Sequence, residues 1–218
     1  MLRVGLTGGL GSGKSTAAKL FAALGAHILQ SDAIGREMME PGQAIYEGMV
    51  AHFGPGVVLA DGTLDRGALA RMAFTEGRVE ELNAIAHPLV IARQVVLTEK
   101  IFQQDSHAVV MVESALIFET HYGAADGSRW QSRFDRIILV TAPEEVKVAR
   151  FVARSSAGRM ISEEQHAELE AEARRRLAQQ ISDEQKAALS DYVLTNGGAL
   201  TELEWQVDQL WPILEAAA

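Results

Sequence analysis

Short runs of aliphatic and β-branched residues alternate along the chain with longer stretches whose apolar positions return every three or four residues. The short runs are Arg3-Val4-Gly5-Leu6-Thr7, residues 26–30, 108–113 and 136–141, and the brief Tyr192-Val193-Leu194. A strand covered on both faces reads as a continuous apolar run, and the runs at 108–113 and 136–141 do so. The first helical stretch, 14–24, carries Ala17, Leu20, Phe21 and Leu24 at helical spacing. Strands separated by helices predict an α/β fold with a five-stranded, mostly parallel sheet.

Between Asp32 and Ser106 no strand pattern is present. Turn signals at Pro41-Gly42, Gly54-Pro55-Gly56 and Asp61-Gly62 cut this stretch into helical pieces. His87-Pro88 predicts one more break, because the residue before a proline is driven out of the helical region. The pattern therefore predicts a helical insertion, 32–106, in a core made of 1–31, 107–150 and 186–218. A long helix is predicted over 163–180, where Glu170 precedes Arg174 and Glu172 precedes Arg176 at the favourable four-residue spacing. The charged, apolar-poor stretch 150–176 predicts weak packing and a lid, placed at 151–185. No repeat or linker divides the chain, so 1–218 reads as one domain.

Composition narrows the chemistry. The 218 residues include no cysteine, which excludes disulfides, thiolate metal sites and a cysteine nucleophile. A formal net charge of -9 argues against nucleic-acid binding, which needs a basic surplus. No run approaches the ~18 apolar residues of a membrane span, and Met1 to Leu6 has no signal-peptide character. A cytoplasmic protein is expected, with small-molecule ligands, no nucleic acid, no membrane and no obligate protein partner. His27, His52, His107, His121 and His166 show no metal-ligand spacing.

The sharpest chemical signal is Gly8-Gly9-Leu10-Gly11-Ser12-Gly13-Lys14-Ser15, which fits the phosphate-loop pattern G-x-x-x-x-G-K-[ST]. A predicted strand ends just before it, and an amphipathic helix opens at Lys14. Gly9, Gly11, Ser12 and Gly13 let backbone N–H groups turn around a phosphate, and the helix N-terminus adds partial positive charge. Lys14 would reach the β- and γ-phosphates, and the Ser15 hydroxyl would ligate Mg²⁺, with Thr16 beside it. A plain glycine-rich turn would explain the glycines but not Lys14-Ser15. Two classes remain: a kinase for a small acceptor, and an NTPase that hydrolyses its nucleotide. The second needs a carboxylate ending a hydrophobic strand, and Glu113 leaves both open; a guanine-specificity Asn-Lys-x-Asp signature is absent.

Beyond the loop, further segments follow in a familiar order. They are Ser31-Asp32 with Gly35-Arg36 and Glu40-Pro41-Gly42, then Asp61-Gly62-Thr63-Leu64-Asp65-Arg66 with Leu69 and Phe74. Leu82, Ile85, His87-Pro88 and Val90 come next, then Arg150 and Arg154, and finally Asn196-Gly197. Together with the loop they resemble the dephospho-coenzyme A kinase family from Leu6 to about Gly197. That resemblance implies a three-layer P-loop kinase core with a helical acceptor insertion and a lid. It implies ATP and Mg²⁺ as cofactors and dephospho-coenzyme A as acceptor, phosphorylated on its ribose 3′-hydroxyl. A nucleoside or sugar kinase on the same core is the alternative. The sequence departs from the family at Gln30, where an aspartate is usual, at Ala115, where a proline is usual, and in a longer segment after Ser155.

The position of Asp32, just past the second strand, suits either a helix cap or a group that takes the proton of the attacking hydroxyl. The resemblance assigns it to catalysis, with Lys14. It also implies that Arg150, Arg154 and Asn196 hold ATP, and that Asp32, Arg66 and His87 hold the acceptor. From its own chemistry Arg66 suits an anion fork or a surface ion pair with Asp65 and Asp61. His87 suits a buried turn equally well, and Arg174-Arg175-Arg176 reads as a solvated helix face.

Overall fold

The three central strands form where short apolar runs are buried, and the shorter, partly exposed runs pair along the two edges of their sheet. The computed structural model describes residues 1–119, 130–157 and 159–218, with Phe74 in its backbone only, so His121 lies outside the described residues. Five strands, β1 (Leu2–Thr7), β2 (His27–Gln30), β3 (Val109–Glu113), β4 (Arg136–Thr141) and β5 (Tyr192–Thr195), form one sheet in the order β2-β3-β1-β4-β5. Every pairing is parallel.

Alternate side chains of each strand serve two cores. Val4, Leu6, Met111, Ile138 and Val140 meet α1 (Lys14–Leu24) and α9 (Leu200–Ala216) through Ala17, Phe21, Leu203, Val207 and Leu214. On the opposite face Val112 and Ile137 pack with Ile117 and Phe134. Gly5 leaves the room that Ile137, Ile117 and Phe134 fill, and a Cβ there would push the two isoleucine ends aside.

The insertion contains α2 (Ser31–Met38), α3 (Ala44–Phe53), α4 (Arg66–Phe74) and α5 (Val79–Gln104). Its own core is built on Ile34, Ile45, Met49, Val57 and Leu69. The break predicted at His87-Pro88 is absent: α5 runs through Pro88 for 26 residues. An interior proline costs a helix about 3 kcal/mol. Leu82, Ile85, Leu89, Val90 and Leu97 all pack on the insertion core, and that burial outweighs the lost hydrogen bond.

Two further expectations are corrected. The helix predicted to 180 ends at Ala178, and a separate α8 (Asp183–Ala188) starts where the Ser182 hydroxyl and the Gln185 side chain form a capping box. The charged stretch is also packed: Val148, Phe151 and Val152 of α6 (Glu144–Ser156) bury against Ala173 of α7 (Glu163–Ala178). Of the predicted ion pairs on α7, Arg176 does meet Glu172, while Arg174 reaches across to Glu144 and Glu145 of α6. Among the described residues no helix is long and apolar enough to cross a membrane.

Candidate active site

In a parallel sheet every strand delivers its C-terminal end to one edge. The chain leaves β1 toward β2 and β3 and later crosses β1 to reach β4, so a crevice opens at the end of β1. The loop Gly8–Ser15 occupies that crevice.

Its shape depends on two glycines. Gly11 and Gly13 have φ of 73° and 94°, and a Cβ would strike the Lys147 backbone at the first and the Asn196 amide at the second. Asn196, at the end of β5, donates from Nδ2 to the Ser12 carbonyl at 2.8 Å. Arg150 of α6 donates to the Asn196 Oδ1 at 3.4 Å and to the Gly11 carbonyl at 3.5 Å. Arg154, one turn further, is exposed and stands 5.9 Å from the centre of the Phe151 ring. The loop is thus buttressed by β5 and α6 before any phosphate arrives.

Lys14 folds back over this loop, donating to the Gly8 carbonyl at 2.7 Å and to that of Gly9 at 3.4 Å. Burial pushes its ammonium down to about 8; Lys186 and Arg154 add to that, while Glu113 and Asp32 oppose it. A cation held short of charge partners is primed for a polyanion.

Ser15 donates its hydroxyl proton to Glu113 Oε1 at 2.5 Å, and Gln30 Nε2 donates to Glu113 Oε2 at 2.9 Å. Gln30, the departure from the family pattern, therefore clamps the carboxylate that ends β3. A hard cation such as Mg²⁺ prefers oxygen ligands and keeps several waters, using one or two protein groups. The Ser15 oxygen and the Glu113 carboxylate fit that demand. Among the described residues no three His, Asp or Glu side chains converge into a closed cage.

Asp32 lies in the first turn of α2; the N-cap position is Gln30, whose side chain makes no capping bond, so Asp32 is not the cap. It lines a cavity of about 530 Å³ with Ser31, Gln94, His87, Arg133 and Phe134 among others. Gln94 fastens α5 to this corner by donating to the Ser31 hydroxyl at 2.8 Å. Burial lowers the His87 pKa, with the Arg133 charge adding and Glu80 opposing, so this ring is neutral at pH 7. Arg66 is elsewhere, on the exposed start of α4, 3.4 Å from Glu40; Asp65 caps α4 instead of pairing with it.

Sequence reasoning left several groups unassigned. Glu113 was legible only as a carboxylate ending a strand. Lys147 pairs with Asp183, which also accepts from Thr141, and this joins α6, α8 and β4 below the loop. Lys186, fully buried, holds Glu119 at 3.1 Å and the Ala115 carbonyl at 3.3 Å. Arg133 enters the cavity from the turn that precedes β4. No local pattern marks any of these three.

A parallel sheet with a phosphate loop at its central strand, and a helical insertion facing it, defines a P-loop kinase of small molecules. Relatives make the assignment finer. The chain belongs to the dephospho-CoA kinase family, whose profile matches residues 2–202. It is 41% identical over 216 residues to a dephospho-CoA kinase of Corynebacterium jeikeium, covering 97% of this chain and 98% of that one. Among solved structures it is similar to TT1252 from Thermus thermophilus, with a TM-score of 0.72 and 31% identity over 98% of this chain and 97% of that one. A dephospho-CoA kinase from Campylobacter jejuni shares the fold at a TM-score of 0.65 and 19% identity, covering 99% of this chain and 98% of that one.

Proposed function

We propose that the protein transfers the γ-phosphoryl group of ATP to the ribose 3′-hydroxyl of dephospho-coenzyme A, giving coenzyme A and ADP. The reaction is Mg²⁺-dependent, belongs to the last step of coenzyme A synthesis and takes place in the cytoplasm. One observation carries the reading: Asp32 lines the acceptor-sized cavity, and its charge is also felt at Lys14 of the phosphate loop. This supports a reading in which donor and acceptor sites meet at Asp32.

Backbone N–H groups of Gly9, Gly11, Ser12 and Gly13 hold the phosphates, with Ser15 and Thr16 at the opening of α1. Lys14 leaves the Gly8 carbonyl and follows the transferred group, so its charge is used where negative charge shifts. Ser15, backed by Glu113 and Gln30, would hold the cation, which would supply charge neutralisation for the phosphates. Asp32 accepts the proton of the attacking hydroxyl or orients it. Arg150 and Arg154 neutralise the phosphate side from α6, and Asn196 keeps the loop and Arg150 in register with the nucleotide. His87, neutral in the cavity wall, contacts the acceptor. The exposed Arg66–Glu40 pair lies outside the cavity lining, so a role for Arg66 requires movement of α4.

ADP release from ATP is the test, with dephospho-coenzyme A beside a panel of nucleosides and sugars and a no-acceptor control. Turnover should require dephospho-coenzyme A. Dominant acceptor-independent hydrolysis, or a preference for a free nucleoside or sugar, would overturn the proposal.

A further inference from the structure

The acceptor cavity is lined by an arginine, Arg133, as well as by Asp32. Arg133 is partly buried beside the Phe134 ring, its guanidinium carbon 5.1 Å from the ring centre. Among the described residues no carboxylate pairs with it. The nearest acid in sequence, Asp135, is taken by Arg3, which donates to it at 2.8 and 3.1 Å. Burial lowers the Arg133 pKa, and no acidic group among the described residues offsets that effect. A desolvated, unpaired guanidinium costs free energy unless an anion meets it. Arg36, another arginine of the cavity, is exposed and gives its Nε to the Asp32 carbonyl at 3.1 Å.

Arg133 also stands at a junction. A second cavity of about 210 Å³ adjoins the first and shares Ile91, Gln94, Val112, Arg133 and Phe134 with it. The further walls of the second cavity are Val95 and Val110 together with the polar Thr98, Ser132, Glu99 and Arg3, a mixed lining that suits an arm of methylenes and amides.

The acceptor of the proposed function, on which this inference rests, has a matching layout. Its reacting 3′-hydroxyl and its 5′-linked diphosphate are on the same ribose, so an anion must lie close to the group that Asp32 serves. A slender pantetheine arm continues from that diphosphate. We propose that Arg133 is the diphosphate anchor of the acceptor, with the adenosine half in the larger cavity and the arm in the smaller one. Arg133 is then a specificity residue: it selects a nucleoside that carries an anionic 5′ extension.

The test compares Arg133→Met, Arg133→Lys and Val95→Trp with the wild type, using dephospho-coenzyme A and plain adenosine as acceptors. Losing a charge-assisted contact should raise the KM for dephospho-coenzyme A about ten- to a hundredfold. The kcat and the KM for ATP should stay within a few-fold, and any turnover of adenosine should change far less than that of dephospho-coenzyme A. Arg133→Lys should recover part of the loss. Calorimetric binding of dephospho-coenzyme A should weaken by the same factor as KM. Val95 is exposed, so Val95→Trp should fold normally, fill the smaller cavity and impair dephospho-coenzyme A alone. An unchanged KM in Arg133→Met, or an equal loss with adenosine, would overturn the anchor; normal dephospho-coenzyme A kinetics in Val95→Trp would overturn the path of the arm. A wild-type protein that ignores dephospho-coenzyme A would instead remove the functional reading beneath both.

Discussion

Replacing Lys14 by methionine should make the nucleotide-free protein more stable while abolishing its chemistry. The Lys14 ammonium is pushed from 10.5 down to about 8, chiefly by burial. A gap of that size corresponds to about 3 kcal/mol spent at neutral pH on keeping the charge inside. Methionine removes that cost but leaves the Gly8 carbonyl without its donor, a loss of about 1 kcal/mol. The net gain is about 2 kcal/mol, or roughly 4–8 °C in Tm for a chain of this size. The sign depends on pH in a defined way. A lysine whose folded pKa is lowered binds its proton less well in the folded state, so its penalty is complete below pH 8. It shrinks as pH rises and vanishes above 10.5, where neither state is protonated. Lys14→Met should therefore melt above wild type at pH 7, approach it by pH 9.5 and fall slightly below it near pH 11. Differential scanning calorimetry of both proteins across that range gives the curve, and kcat should drop at least ~100-fold. A Tm difference independent of pH would refute the assignment of the cost to a buried charge, and near-normal turnover would refute the site.

Three further outcomes are expected. Asp32→Asn should lower kcat by roughly 10²–10⁴-fold with an unchanged melt, because Asp32 does not cap α2; a kcat within a few-fold of wild type would leave the mechanism without its proton acceptor. Gln30→Asp would set a carboxylate against Glu113 in place of a donor, so its Tm in chelator should fall and added Mg²⁺ should restore more stability than in wild type; equal Mg²⁺ responses would contradict the clamp seen here. Gly13→Ala should cost about 2 kcal/mol or more and weaken ATP binding, since φ is 94° and the new methyl meets Asn196; an unaltered melt and nucleotide affinity would mean that the loop relaxes freely.

The sequence by itself determined what depends on neighbouring residues. The five strands and α1 lie within a residue or two of their predicted places, because short β-branched runs and helical periodicity leave direct local traces. The phosphate loop was legible for the same reason: its chemistry is contiguous, from Gly8 to Ser15. Asp32 could be located but not interpreted, since a cap and a proton acceptor occupy the same place in a sequence. Tertiary structure decided the rest. It moved the N-cap to Gln30, gave that residue a role by placing it on Glu113, and gathered Arg133, Gln94 and Asp32 around one cavity from three separate elements. It also carried α5 through Pro88 and packed α7 on α6 despite its charge, because buried contacts across the fold outweigh a proline or an apolar-poor composition read locally. In each case the deciding energy came from residues far apart in the chain, and only the folded protein brings those into contact.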